Sequence, residues 1–280
     1  MANTLPISVV VCTKNEAARI KDCLASIYAE QPDEIILVDG SSSDNTVAIA
    51  EPYITRAIVS QNSNLTRDRQ IGIDSAKNKL IALIDADHRI RKGDLQGLLK
   101  DMEYYNLDIV QAALDIQPDG FWCKSEAVMC ELFENVPGPK KMIGVAPCIF
   151  RKQVFEHIRF EDTITSTIDD TDFMYRLYKL NLFVVGMGTT RVSQKHEPEL
   201  KSYLRKFRWY GRGDGEFCVK HPERAHSMVF HLSIRYPFIY SWKALIAGKL
   251  FAIPFLVIQG YVRLWNLIIR IAELKLKKNK

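Results

Sequence analysis

Several features that mark common protein classes are missing from this chain of 280 residues. Its six cysteines include no CxxC pair and no Cys/His cluster with zinc spacing, which excludes a disulfide scaffold and a zinc ribbon. The absence of GxxxxGK[ST], GxGxxG and GxSxG sequences excludes a P-loop nucleotidase, a dinucleotide-dependent oxidoreductase and an α/β-hydrolase. The first apolar run, residues 7–12, has only the length of a strand, so no secretory signal is predicted.

Acidic residues are scarce in one part of the chain. From residue 231 onward there are nine lysines and arginines but one acid, Glu273, whereas residues 1–230 contain 29 basic and 32 acidic residues. The net charge of +5 therefore comes from a basic, apolar tail on an acidic body. Such a tail is typical of contact with a membrane surface, and the acidic body argues against nucleic acid as a partner.

Hydrophobic periodicity predicts strands that alternate with helices in the first half of the chain. This order is typical of an α/β fold with a mostly parallel central sheet flanked by helices. A composition of 47% hydrophobic and 25% charged residues supplies enough apolar material for its core. The predicted strands cover residues 7–12, 34–39, 57–60, 80–84 and 108–114, and the predicted helices cover residues 16–29, 66–76 and 93–104.

Polar residues follow three of the predicted strands. They form the segments 13–16, 39–41 and 85–87, and the carboxyl ends of parallel strands meet at one edge of a sheet, where ligands bind. Asp85 and Asp87 supply hard oxygen ligands that suit Mg²⁺ or Mn²⁺, with a substrate diphosphate completing the coordination shell. The sequence therefore predicts a metal-assisted site at this edge.

A second acidic cluster contains Asp169, Asp170 and Asp172. Three carboxylates within four residues repel one another and raise the pKa of at least one of them. Because the cluster begins a predicted helix, the residues alone leave two interpretations open. It either caps the helix or provides a general base near a bound substrate.

Taken in order, residues 9–16, 38–46 and 85–87 resemble glycosyltransferase family 2, whose members have the GT-A fold. The resemblance covers about residues 6–215. It implies an inverting hexosyl transfer from a nucleotide-sugar, most often a uridine diphosphate sugar, with Mn²⁺ or Mg²⁺ as cofactor. Segment 205–209 is similar to the QxxRW element of processive family members, but Arg205 replaces Gln, which argues against a processive polymerase.

The resemblance also implies roles for individual residues. Asp170 is the second member of the family's acidic pair and is the implied catalytic base, while Asp169 replaces the usual Glu. Arg208 or Arg212 would add positive charge near the departing diphosphate. The implied nucleotide-site residues are Thr13, Glu16, Asp39, Arg67, Asp68, Asp85, Arg208 and Trp209, and the implied metal ligands are Asp85, Asp87 and His196.

The domain prediction places a GT-A catalytic domain at residues 1–230 and a basic helical tail at residues 231–280. Residues 250–258 are apolar but too few to cross a bilayer as a helix. After Gly260, polar residues recur every three or four positions, which predicts an amphipathic helix. Peripheral membrane docking, packing on the catalytic domain or between copies of the chain, and a short spanning helix are all left open.

The expected protein is thus a cytoplasmic transferase on the cytoplasmic face of a membrane. Its acceptor would be a glycan or a lipid-linked molecule of cell-envelope or surface polysaccharide assembly. Asp115, Trp122 and Glu126 are candidate contacts for the sugar or the acceptor. Two other functions are considered: a nucleotide-sugar-binding scaffold without turnover, and a nucleotidyltransferase, which would need a glycine-rich basic loop after the first strand.

Overall fold

The computed structural model describes residues 4–164 and 167–278. These residues form two compact units. The first contains residues 4–115, 135–164 and 169–195, and the second contains residues 116–134, 167–168 and 196–278. The predicted boundary at residue 230 falls inside the second unit and stays a prediction.

The first unit is built on a mixed sheet. Its strands are β1 (Leu5–Thr13), β2 (Pro32–Asp39), β3 (Arg56–Val59), β4 (Leu80–Leu83), β5 (His88–Arg89), β6 (Ile109–Ile116), β7 (Gly138–Lys140), β8 (Cys148–Arg151) and β9 (Val185–Gln194). The strand order is β3-β2-β1-β4-β8-β6-β9-β5, and β7 pairs with β9. The four strands β1 to β4 pair in parallel, as the alternation of strands and helices predicts.

The later strands depart from the predicted parallel series in one respect. β8 lies between β4 and β6 and runs antiparallel to both. β6 therefore has the same direction as β4, as a right-handed crossover through a helix requires, but it is not its neighbour. The predicted α/β class with a helix-flanked sheet is confirmed, and the inserted strand makes the sheet mixed.

The helices are α1 (Ile20–Tyr28), α2 (Thr46–Ala50), α3 (Leu65–Ser75), α4 (Asp94–Tyr104), α5 (Gly120–Met129), α6 (Val154–His157), α7 (Asp169–Leu180), α8 (Leu200–Lys220), α9 (Ala225–Phe230), α10 (Ser241–Ile246) and α11 (Ile253–Lys278). Short 3₁₀ turns occupy Glu51–Tyr53, Pro222–Arg224 and Leu250–Ala252, and π-helical segments occupy Cys130–Glu134 and His231–Tyr240. The second unit contains α5 and α8 to α11.

Both faces of the parallel strands β1, β2 and β4 are largely buried, which explains their unbroken apolar runs, whereas the edge strand β3 is mostly exposed. Side chains alternate between the faces of a strand, so Val9 and Val11 belong to one core cluster and Val10 to the other. The register places Thr13 beside Asp39 and Asp39 beside Val59. The carboxyl ends of β1, β2 and β3 therefore lie at one edge of the sheet, as predicted.

In the second unit, glycines allow α8 and α11 to approach closely. A β-carbon at Gly211 would overlap the backbone of Arg263, and one at Gly215 would lie 2.8 Å from the Leu267 carbonyl oxygen. Within the predicted tail, α11 is one continuous helix whose backbone contacts that of α8. It begins at Ile253, before Gly260, after which the sequence predicts the amphipathic helix.

We expect Gly72→Ala to destabilise the first unit. Gly72 lies on α3, and a β-carbon there would overlap the Val10 side chain and lie 3.2 Å from Val38 Cγ2. Overpacking of this kind costs about 1–3 kcal/mol, which exceeds the gain in helix propensity. Urea denaturation measures the loss. The control Ser75→Ala on the same helix should change the free energy of unfolding by less than about 0.5 kcal/mol. If Gly72→Ala and Ser75→Ala were equally stable, this account of the packing would be wrong.

Candidate active site

Polar groups gather at the ends of the parallel strands in the first unit. Thr13 ends β1 and Asp39 ends β2, while Ser60 follows β3 and donates its amide hydrogen to the Asp39 carbonyl oxygen at 2.8 Å. The Asp39 carboxylate is buried and accepts from the amide (2.8 Å) and the hydroxyl (2.5 Å) of Ser42. The backbone pairing therefore fixes these side chains in one polar corner.

Three polar atoms in this part of the fold are buried without a partner. They are the hydroxyl oxygens of Thr13 and Ser60 and one carboxylate oxygen of Asp68, as judged over residues 4–164 and 167–278. Buried polar atoms in proteins nearly always form a hydrogen bond. Unpartnered polar atoms at this edge of the sheet therefore indicate that a polar ligand binds there. Thr13, Asp39 and Asp68 were predicted from the sequence, whereas Ser60 was not.

Glu16 and Arg67 lie in more open surroundings. Glu16 forms a bidentate ion pair with Arg19, with both N–O distances 2.7 Å, and its amide donates to the Thr46 hydroxyl. Arg67 pairs with Asp162 at 3.2 Å, and more than a third of its side chain is exposed. Their implied roles at a nucleotide stay predictions.

Two carboxylates and an imidazole meet just after β4. Asp85, Asp87 and His88 each offer a ligand atom, and these atoms lie within 4.8 Å of one another. His88 Nδ1 accepts the amide hydrogen of Asp85 at 3.2 Å, so the neutral ring carries its proton on Nε2, which lies 3.9 Å from Asp87 Oδ1. Gln194 also donates to Asp87, at 2.9 Å.

This donor set fits a hard divalent cation. Asp85 and Asp87 are part-exposed and offer oxygen ligands, which Mg²⁺ and Mn²⁺ prefer. His88 is buried, and its Nε2 lies 3.9 Å from Asp87 Oδ1, so the imidazole is a candidate third ligand beside the two carboxylates. His88 was not predicted from the sequence, although its position directly after Asp87 was a usable signal.

The arginine at the centre of the site is Arg69. Its guanidinium donates to Asp85 at 3.0 Å and also pairs with Asp169, and its side chain is almost fully buried. Burial alone would raise the pKa of Asp85, but the charge of Arg69, the neighbouring His88 and the hydrogen bond from Arg69 together outweigh burial and lower that pKa below its usual range. Arg69 therefore joins the end of β4 to the start of α7.

Asp170, the predicted catalytic base, lies beside this ion pair. Burial raises its pKa, the negative charge of Asp169 raises it further, and the result is about 6. Its Oδ1 accepts from the Thr171 amide at 2.6 Å. Asp172 of the same cluster is fully buried and pairs with Arg176 at 2.7 Å, so it stabilises the helix start. The interpretation as a stabilised helix start therefore holds for Asp172, while the role of Asp170 as a general base stays a prediction.

The remaining predicted residues belong to the second unit. His196 Nδ1 lies 2.6 Å from Glu126 Oε2, and Glu126 also accepts from Tyr203 (2.6 Å) and Lys206 (2.8 Å). Burial would raise the pKa of Glu126, but Lys206 and His196 lower it to about 2. Arg208 and Trp209 are exposed on α8. The roles of His196, Arg208 and Trp209 at metal or nucleotide stay predictions.

We expect Arg69→Met to destabilise the protein by about 3 kcal/mol at neutral pH, because two carboxylates lose their buried cation. The lowered pKa of Asp85 means that this stabilisation exists above about pH 4 and disappears as the carboxylates protonate in acid. Urea denaturation at a series of pH values measures it. The control Arg67→Met removes an exposed ion pair and should lower the free energy of unfolding by less than about 1 kcal/mol. A loss of stability in Arg69→Met that persists at low pH would contradict the explanation by charge.

Several curated proteins are similar in sequence to this chain. An uncharacterized glycosyltransferase of Rickettsia felis is 38% identical over 201 residues, which are 67% of this chain and 64% of that protein. A dodecaprenyl-phosphate galacturonate synthase of Rhizobium johnstonii is 25% identical over 56% of this chain and 51% of that protein. The chain therefore spans less than two thirds of the length of these curated relatives.

The fold has relatives among solved structures. Residues 1–349 of S. aureus TarS in complex with UDP-GlcNAc match with a TM-score of 0.57 and 15% identity, over 97% of this chain and 92% of that one. This likeness supports the fold. In addition, the sequence profile described as Glycosyl transferase family 2 matches residues 8–159, more than half of the chain. The resemblance seen in the sequence is thereby confirmed: the chain belongs to glycosyltransferase family 2.

Proposed function

We propose that this protein transfers a hexosyl group from a nucleoside diphosphate sugar, with uridine as the nucleoside, to an acceptor hydroxyl with inversion at the anomeric carbon. The observation that carries the proposal is the spatial arrangement of polar and acidic side chains along one side of the first unit. Buried, unpartnered polar atoms at the ends of β1 and β3 lead to the carboxylates after β4 and then to Asp170. The family membership and the UDP-GlcNAc complex of TarS support this reading.

The donor would be held at both ends of its nucleotide. Thr13, Asp39, Ser60 and Asp68 offer hydrogen-bonding groups that suit a pyrimidine base and a ribose. Asp85 and Asp87 would hold Mg²⁺ or Mn²⁺. When bound, the cation supplies positive charge that stabilises the departing diphosphate.

Asp170 acts as the general base. Its carboxylate takes the proton of the acceptor hydroxyl while that oxygen forms a bond to the anomeric carbon. The bond from this carbon to the diphosphate oxygen breaks and its electron pair leaves with the nucleotide, so the configuration inverts. A pKa of about 6 leaves Asp170 ionised at neutral pH and makes it a stronger base than an ordinary aspartate.

The two other functions considered fit these observations less well. A scaffold that only binds a nucleotide-sugar does not require a carboxylate such as Asp170, whose pKa is raised, beside the donor site. A nucleotidyltransferase needs a glycine-rich basic loop after the first strand, whereas residues 13–16 read Thr-Lys-Asn-Glu. The family match favours a glycosyltransferase over both.

The acceptor in this proposal is a lipid-linked molecule or a growing glycan of the cell envelope, reached from the cytoplasmic face of a membrane. One curated relative is named a dodecaprenyl-phosphate galacturonate synthase, and that name includes a lipid-linked product. In this chain, Leu250–Lys277 form a helical stretch of 28 residues, long and apolar enough to contact or cross a bilayer. The basic tail provides the matching charge for anionic lipids.

We expect Asp170→Asn to lower turnover by about a thousandfold while nucleotide-sugar binding persists, because the amide cannot accept the acceptor proton. In the wild type, the rate should rise as the pH increases through about 6 and then level off, because the ionised form is the active one. Steady-state transfer or donor hydrolysis over pH 5–8 measures both. An asparagine variant with the wild-type rate would exclude Asp170 as the base.

We expect Asp87→Asn to abolish the metal-dependent part of donor binding. Calorimetric titration of a panel of nucleotide-sugars, with and without Mn²⁺ or Mg²⁺, measures this and identifies the nucleoside. The control Glu103→Gln removes an exposed acid of α4 and should bind like the wild type. If the folded wild-type protein binds no nucleotide-sugar under either condition, the transferase proposal is wrong.

A further inference from the structure

Helix α11 has an unusual distribution of polar and apolar side chains. Three of its charged residues pair with α8: Arg263 donates two hydrogen bonds to Asp214, at 2.9 and 2.8 Å, and Arg270 pairs with Glu216 at 2.6 Å. Glu273 accepts from the guanidinium of Arg212 at 2.7 and 3.1 Å. Three ion pairs thus join the two helices.

The exposed side of α11 is apolar. Tyr261, Trp265, Ile268, Ala272 and Leu276 follow one another at intervals of three or four residues, so they form one stripe on the helix. The exposed fraction is 64% for Trp265, 51% for Ile268 and 67% for Leu276. We call these five residues the apolar stripe. A helix that binds its neighbour through charges and leaves apolar side chains outside has the reverse of the usual polarity of a surface helix.

The residues before α11 extend the apolar exposure within the second unit. The largest exposed fractions are those of Ile246 (71%), Trp242 (63%) and Leu250 (58%). Exposed apolar surface on this scale marks a site of contact with another molecule. Lys243, Lys249, Lys275 and Lys277 are also exposed here, and the sequence from residue 231 onward has a single acid, which is ion-paired. Apolar side chains together with lysines match a bilayer with anionic headgroups.

We infer that α11 lies along the membrane surface and does not cross the bilayer, with the apolar stripe in the lipid and the three ion pairs on the protein side. This inference rests on the membrane docking proposed above and gives it a geometry. A crossing helix would either carry the charged side chains of α8 into the hydrocarbon or leave Arg263, Arg270 and Glu273 there without partners, and both are costly. A helix in the interface plane keeps every pair.

Trp265 tests this orientation directly. It lies near the middle of the candidate span Leu250–Lys277, so a crossing helix would place it at the bilayer centre. A helix in the interface plane places it at the boundary between headgroups and acyl chains. The full-length protein is mixed with phosphatidylcholine vesicles containing about one third phosphatidylglycerol, brominated either near the glycerol or near the chain ends. The fluorescence of Trp265→Phe is subtracted to isolate the signal of Trp265.

Stronger quenching by the shallow bromines is the expected result. Stronger quenching by the deep bromines would overturn the in-plane orientation and leave membrane docking intact. Absence of vesicle binding would overturn both, while the sugar-transfer proposal is judged separately from donor binding. If the wild type self-associates and Trp265→Asn makes it monomeric without lipid, the apolar stripe is an interface between copies of the chain, and the inference is also wrong.

Variants separate the apolar and the charged contributions to binding. The double variant Trp265→Asn with Ile268→Asn should weaken vesicle binding at least tenfold, because both exposed side chains enter the lipid. Lys275→Gln and Lys277→Gln should each weaken it about fivefold at low salt and have little effect on vesicles of phosphatidylcholine alone. Tyr104→Asn is the control, because Tyr104 is 81% exposed on α4, outside the tail. Equal losses of vesicle binding for Tyr104→Asn and the double variant would contradict a specific role of the apolar stripe in binding.

Discussion

The candidate active site depends on one buried cation, the guanidinium of Arg69. It contacts Asp85 after β4 and Asp169 at the start of α7, so it joins two segments that are far apart in the sequence. A guanidinium suits this position because it stays charged when buried and presents its donors in a fixed planar fork. Without such a cation, the acids from the two segments would repel one another at close range. The ion pairs therefore allow a dense group of carboxylates to form at a sheet edge.

Neighbouring acids in this site differ in pKa because burial and nearby charges act on them differently. Asp85 faces Arg69 directly and has a lowered pKa, so it stays ionised, as a metal ligand must be. Asp170 is buried beside the negative charge of Asp169 and has a pKa of about 6, which suits a proton acceptor at neutral pH. Acids of one residue type are thus suited to the different roles proposed for them, because their surroundings push their pKa values apart. The fold sets those surroundings through burial and through the positions of Arg69 and Asp169.

The sequence predicted the strand ends correctly because apolar runs and the polar residues after them are local features. It predicted Arg67 and Arg208 near the nucleotide and did not include Arg69, which the structure places among the acids. Arg67 and Arg69 lie on different faces of α3, and Thr66, Arg69, Gln70 and Ile73 share the buried face with helical spacing. An arginine on a buried helix face was therefore a usable signal. The insertion of β8 between β4 and β6 was not predictable in this way, because strand order depends on pairing between distant segments.

The tail shows why a helical pattern alone does not reveal what its faces contact. A regular spacing of charges predicts an amphipathic helix, and the usual expectation is that the charged face meets water. In this protein the acids Asp214 and Glu216 on α8 supply partners for Arg263 and Arg270, so the charged face turns inward. The apolar face is then left outside, and burial of that face requires a surface that the described residues of the second unit do not supply. Lipid satisfies this requirement without disturbing the ion pairs that hold the two helices together.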